Sequence, residues 1–152
     1  DFYRRQHGLE PVVFRFFNVY GPRQDPSSPY SGVISIFSER AEKGLPITIF
    51  GDGEQTRDFI YVGDLVGILV QALEAPQVEE GAINVGLNKA TTLKQMLEAL
   101  SEVVGKLPPI SYGPARPGDI RHSRADNSRL LQRFTLGDTT PMNVGLARLL
   151  GR

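Results

Sequence analysis

Hydrophobic residues in this chain keep two different spacings, and the two alternate along its length. Short runs rich in β-branched and aromatic residues read as strands: Pro11-Val12-Val13-Phe14-Arg15-Phe16-Phe17, Ile47-Thr48-Ile49-Phe50, Ala82-Ile83-Asn84-Val85-Gly86 and, as an edge strand because proline cannot donate to a ladder, Pro108-Pro109-Ile110-Ser111-Tyr112. Between them, apolar residues recur three and four apart, as on one face of a helix. The stripes are Val33, Ile34, Phe37, Ala41 and Leu45; Leu65, Ile68, Leu69, Ala72 and Leu73; and Leu93, Met96, Leu97, Leu100, Val103 and Val104. A chain that switches in this way, in the order β-αβ-β-αβαβ-α, belongs to the mixed α/β class.

The punctuation agrees with that reading. Thr92 and Gln95 stand at capping-box spacing, Gly44 stops the helix that Ser31 can cap, Asp64 opens the next and Pro76 ends it. Asp126 caps a short helix through Leu131, and Thr140-Pro141 begins the last, with Val144, Leu146, Ala147, Leu149 and Leu150 as its apolar positions. Asp1 to Gly8 reads as the closing turns of a helix with no cap and no initiator Met ahead of it, as expected of a fragment cut inside a helix. The run at 11–17 lacks polar alternation, which suggests a strand buried on both faces of a parallel sheet. Asn18 and the Pro- and Ser-containing stretch to Tyr30 then form a loop at its carboxyl end, where open α/β sheets bind ligands.

One segment combines turn, strand and charge. Ile47–Phe50 runs into Gly51-Asp52-Gly53, a turn that tolerates positive φ, so the chain is expected to reverse there and pair with a strand from Thr56 to Val62. Arg57 opens that second strand. A planar, permanently charged guanidinium so placed suits an anionic ligand, although a surface arginine is the ordinary alternative. Arg116, in a loop stiffened by Pro117 and Gly118, is a second candidate, and Asn18 supplies a neutral amide.

Other chemistries find little support. At 152 residues the chain is long enough for a single domain with its own core, and it has no cysteine, hence no disulfide, thiolate metal site or cysteine nucleophile. His7 and His122 lack suitably spaced partners for a metal, and they offer no Ser-His-Asp ordering. Asp52 and Glu54 start a calcium-loop pattern that the next residues break. The Gly-x-Gly at 51–53 is followed by a strand, so it is no dinucleotide fingerprint. With 17 basic and 17 acidic side chains the net charge is zero, which argues against nucleic acid as a partner. No apolar run has the length of a membrane span and no leader opens the chain, so a cytoplasmic protein is expected.

Three stretches in order, Arg15-Phe16-Phe17-Asn18-Val19-Tyr20-Gly21-Pro22-Arg23-Gln24, Gly51–Asp64 and Arg116-Pro117-Gly118-Asp119-Ile120-Arg121, resemble the C-terminal, substrate-binding part of the NAD-dependent nucleotide-sugar epimerases and dehydratases. These are extended short-chain dehydrogenases/reductases of Rossmann type, with UDP-glucose 4-epimerase among them. The resemblance covers nearly the whole chain, residues 1–152, as one substrate-binding portion. It implies that the Gly-rich phosphate turn and the catalytic Tyr-x-x-x-Lys precede Asp1, so that NAD is bound mainly outside this chain, no catalytic residue lies in it, and it is inactive alone.

By the same resemblance Asn18 contacts the substrate's phosphates, Thr48 and Phe50 meet the uracil through their backbone, Arg57 and Arg116 clamp the diphosphate and ribose, Asp119 is a ribose partner and Phe17 lies by the nicotinamide. Where many relatives have Asn-Leu and then Pro, this chain has Gly32-Val33 and Ser35. Ser123 stands where some epimerases carry a bulky Tyr against the hexose, a small residue that implies a pocket for N-acetylated UDP-hexosamines. The implied activity is C4 epimerisation of a UDP-hexose or UDP-N-acetylhexosamine through a transient keto-sugar, by a homodimer when the protein is complete. A dehydratase of the same family and a non-catalytic nucleotide-sugar-binding module are the alternatives.

Overall fold

The computed structural model describes residues 2–28, 32–75 and 81–152. It is a mixed α/β structure in which the strands join in pairs. The helices are α1 (Phe2–His7), α2 (Val33–Glu42), α3 (Val62–Glu74), α4 (Leu93–Val104), α5 (Ser128–Leu131) and α6 (Met142–Leu149). The strands are β1 (Val13–Phe16), β2 (Asn18–Tyr20), β3 (Ile47–Phe50), β4 (Thr56–Arg57), β5 (Phe59–Tyr61), β6 (Ala82–Val85), β7 (Thr91–Thr92) and β8 (Ile110–Gly113).

Pairing is mostly non-local. β1 runs parallel to β6, β2 to β5 and β3 to β8, while β4 and β7 are antiparallel. The reversal expected at Gly51-Asp52-Gly53 is therefore corrected: β3 does not pair with the strand that follows it. Gly51 and Gly53 do hold positive φ, 93° and 79°. The turn nevertheless throws the chain sideways, because Gly51 N–H donates to Gly113 O across to β8 (2.9 Å) and the Gln55 amide takes Phe50 O (2.7 Å). The expected strand at 56–62 is likewise split at Asp58.

That break has a cause. Asp58 is fully buried, and its carboxylate accepts from Leu87 N–H (2.9 Å) and Ala125 N–H (3.0 Å). A buried carboxylate needs such donors. One side chain thereby ties the strand region to two distant loops, and Gly86 must be glycine because a Cβ there would lie 2.9 Å from Asp58 Oδ2 and 2.7 Å from the Ala125 Cβ.

β5 separates two cores. Phe59 and Tyr61 join Tyr20, Phe37, Ile49, Met96, Leu100 and Leu146 on one side, whereas Ile60 joins Leu65, Ile68, Ile83, Val85, Leu130 and Phe134 on the other. Its successive side chains point to opposite faces, so a continuous apolar triplet fills both. β1 is the converse: Val13 and Phe16 are about half exposed, at 53% and 49%, and β6 is its one strand partner among the described residues. The expectation of burial on both faces does not hold there.

Smaller departures follow from local geometry. Asn18–Tyr20, read as loop, is a strand whose partner lies some forty residues on. α3 starts at Val62, two residues before the expected opening at Asp64, with Tyr61 at the N-cap position making no side-chain capping bond; Asp64 lies in the first turn, and its carboxylate accepts from Thr140 N–H and Oγ1. Asn127, not Asp126, precedes α5, although Asp126 accepts from Ser128 N–H (3.0 Å). Leu73 and Leu45, expected inward, are exposed. Ser31 and Pro76 lie outside the described residues. α4 carries the full capping box, with Thr92 Oγ1 accepting from Gln95 N–H (3.0 Å) and Gln95 Oε1 from Thr92 N–H (2.9 Å).

Candidate functional site

A cleft of about 710 Å³ opens between β3 and α2. α2 forms one wall through Val33, Ile36 and Phe37, which repeat at helical spacing and present an apolar surface. Thr48 and Phe50 lie at its floor, and Asn18, Arg57, Arg116 and Asp119 reach it from three other parts of the chain. Six residues singled out from the sequence thus converge on one cavity. Phe17 and Ser123 are not among its lining; both are half-buried, with Phe17 N–H donating to Val85 O (3.0 Å) and Ser123 N–H to Thr56 O (3.1 Å).

Arg57 is held from two directions. Its Nη1 donates to Thr56 O (2.8 Å) and Ile120 O (2.6 Å), and its Nη2 to Asp119 Oδ1 (2.6 Å). A guanidinium has five N–H donors. Three bonds therefore leave two donors on a rigid, largely buried cation in the cleft. Such a group can bind an anion without first being ordered.

Arg116 owes its place to a turn. Asp119 N–H donates to Arg116 O (3.2 Å) around Pro117 and Gly118, with Gly118 at φ 79°, the arrangement of a type II turn. The turn sets Arg116 and Asp119 on the same cavity, and the Arg116 guanidinium carbon sits 3.9 Å over the centre of the Phe50 ring. The stacked face of the cation is engaged by the ring while its N–H edge stays available to a ligand.

The loop bearing these groups is tied down at its far end. Arg121 makes a bidentate pair with Asp52 (3.1 and 2.7 Å), and the hydrogen bonds from Arg121 hold the Asp52 carboxyl down at about 2. His122 Nδ1 lies 3.1 Å from Thr56 Oγ1.

Two lining residues escaped sequence reasoning. Arg40 Nη1 donates to Pro46 O (2.7 Å), and Gln55, buried to 7% exposure, donates through Nε2 to Phe50 O. The Phe50 carbonyl can only accept, which fixes the Gln55 amide with Oε1 turned away; that oxygen is buried with no hydrogen-bond partner. Their bonds are to backbone carbonyls, which leave no mark in residue identity.

Among the described residues, no group of three or more His, Asp or Glu side chains is placed to hold a metal ion, and no helix is long and apolar enough to cross a membrane. No described strand leads through a Gly-rich turn into a helix in the way a dinucleotide pyrophosphate requires, because the turn at Gly51 and Gly53 leads into β4.

Residues 2–86, more than half of the chain, match the NAD dependent epimerase/dehydratase family. The chain is 39% identical over 129 residues to a UDP-glucose 4-epimerase of Mycolicibacterium smegmatis, a match covering 85% of this chain and 41% of that enzyme. Its fold superimposes with a TM-score of 0.87 on the UDP-N-acetylglucosamine 4-epimerase of Methanobrevibacter ruminantium in complex with UDP-N-acetylmuramic acid, at 38% identity over 98% of this chain and 47% of that one. The UDP-glucose 4-epimerase of Thermotoga maritima with UDP-glucose gives a TM-score of 0.84 at 37% identity, covering 99% of this chain and 48% of that one. The chain spans less than half the length of each.

Proposed function

Because the chain belongs to the NAD-dependent epimerase/dehydratase family, we propose that it holds the nucleotide end of a UDP-sugar while C4 of the sugar is epimerised. The observation that carries this reading is the meeting of two arginines, 59 positions apart in the sequence, in one cleft floored by a strand with a free side. A diphosphate needs fixed cationic donors. Arg57 and Arg116 supply them, with Asn18 as a neutral donor beside them.

The base lies against the apolar wall of α2, its polar edge on the backbone of Thr48 and Phe50. Asp119 takes a ribose hydroxyl, and Ser123 leaves room beyond the diphosphate for an N-acetylated hexosamine. Phe17, outside the cleft, would pack by the nicotinamide of bound NAD. NAD would supply the hydride acceptor and donor that the reaction at C4 requires. The residues here do the positioning: clamped at the diphosphate, the sugar is presented to the reacting groups in a fixed orientation. The chain alone is inactive, and the complete protein is a dimer of identical chains working in the cytoplasm.

The test is turnover by the protein produced from its complete reading frame. Supplied with NAD, it converts UDP-N-acetylglucosamine to its C4 epimer faster than UDP-glucose. A clear preference for UDP-glucose overturns the hexosamine assignment, and a 4-keto-6-deoxy product in place of the epimer overturns the reaction.

A further inference from the structure

Parallel pairing divides the main-chain groups of β3 between its two sides. Ile47 N–H donates to Pro109 O and Gly51 N–H to Gly113 O, both at 2.9 Å, so the odd-numbered residues face β8. Pro46, Thr48 and Phe50 turn theirs the other way. In order along that side stand the Pro46 carbonyl, the Thr48 N–H, the Thr48 carbonyl, the Phe50 N–H and the Phe50 carbonyl.

Both outer carbonyls are already engaged. Arg40 Nη1 donates to Pro46 O and Gln55 Nε2 to Phe50 O, each at 2.7 Å, and both side chains line the cleft. What remains is one acceptor, Thr48 C=O, flanked on each side by a donor. An imide edge, acceptor–donor–acceptor, is its complement. Guanine presents acceptor–donor–donor, so its ring N–H can use Thr48 C=O only by driving its amino group against an N–H of the strand.

With either outer carbonyl free, guanine would have a register without that clash. At the end of the strand its ring N–H would meet a carbonyl with a donor on one side only, and the amino group would project past it. We propose that Arg40 and Gln55 are specificity-determining residues of the cleft, which by capping the Pro46 and Phe50 carbonyls restrict β3 to a base with an imide edge and exclude guanine. The device is one of rejection, built by removing acceptors that a competitor could use. It rests on the nucleotide-binding reading above, and adds to it a reason for the choice of base.

The experiment compares UDP and GDP by calorimetry, on the protein produced from its complete reading frame, in wild type, Arg40→Ala, Arg40→Lys and Gln55→Leu. Wild type binds UDP in preference to GDP. The preference falls about tenfold in Arg40→Ala and in Gln55→Leu, the worth of one clash relieved, and is kept in Arg40→Lys, which retains a donor for Pro46 O. Arg40 is exposed, so Arg40→Ala reads out even where the buried Gln55→Leu fails to fold. A preference unchanged in both overturns the assignment of Arg40 and Gln55 while leaving nucleotide binding intact. Wild type that binds neither nucleotide overturns the underlying reading and this inference with it.

Discussion

Replacing Arg57 by Met removes every donor of the guanidinium and keeps most of its apolar stem. Of its five N–H groups, three are spent on Thr56 O, Ile120 O and Asp119. The two that remain are the ones a ligand can use. A hydrogen bond to a charged group is worth about 1.5 kcal/mol or somewhat more, so losing two costs about 3 kcal/mol, roughly a hundredfold in Kd. The Arg57 side chain is 15% exposed, so solvent screens it only in part. Calorimetry with UDP and with uridine separates the charge from the rest of the site: UDP weakens by roughly a hundredfold and uridine by less than about threefold. Equal weakening of both ligands would show that Arg57 supports the cleft without touching phosphate.

Three further outcomes follow from the geometry. Asp58→Ala leaves the Leu87 and Ala125 N–H groups buried without their acceptor, which costs about 3–5 kcal/mol in urea unfolding; a loss under about 1 kcal/mol would remove Asp58 as a tie between loops. Gly86→Ala sets a methyl 2.7 Å from the Ala125 Cβ, and a drop of about 1–3 kcal/mol is expected by the same assay, with no change counting against the close approach. The Asp52 carboxyl, depressed to about 2 by Arg121, has a folded value below its ordinary 3.8, so its contribution is complete above pH 4 and is lost as pH falls through 2. An NMR titration reads this directly, and Arg121→Gln returns Asp52 toward the ordinary value; a titration that ignores Arg121 contradicts the tether.

Local signals in the sequence were legible and long-range ones were not. The capping box of α4 and the positive φ of Gly51 and Gly53 arise within a few residues, and they are where the sequence places them. β2 is three residues long, β4 and β7 two each, and each exists because of a partner far along the chain. Propensity cannot report such pairs. The mistaken reversal at Gly51 has the same origin, since the turn residues permit a hairpin but β8 competes for the β3 edge and wins. Asp58 falls inside the segment expected as one strand from Thr56 to Val62, where nothing local marks it as the most enclosed carboxylate among the described residues. Of the residues that line the cleft, Asn18, Arg57 and Arg116 were legible because cations and amides carry their chemistry in their identity, whereas Thr48, Phe50 and Asp119 were named only through the family resemblance. Arg40 and Gln55 were not, because what they do depends on which carbonyl each one meets.

On the proposed function, a nucleotide diphosphate sits in the cleft between α2 and β3. A crystal structure of the protein from its complete reading frame, soaked with UDP, tests that directly. The expected density places the base on the free side of Thr48 and Phe50 and the diphosphate within hydrogen-bonding distance of Arg57 and Arg116. Density for UDP elsewhere on the protein, with this cleft holding only solvent, would contradict it.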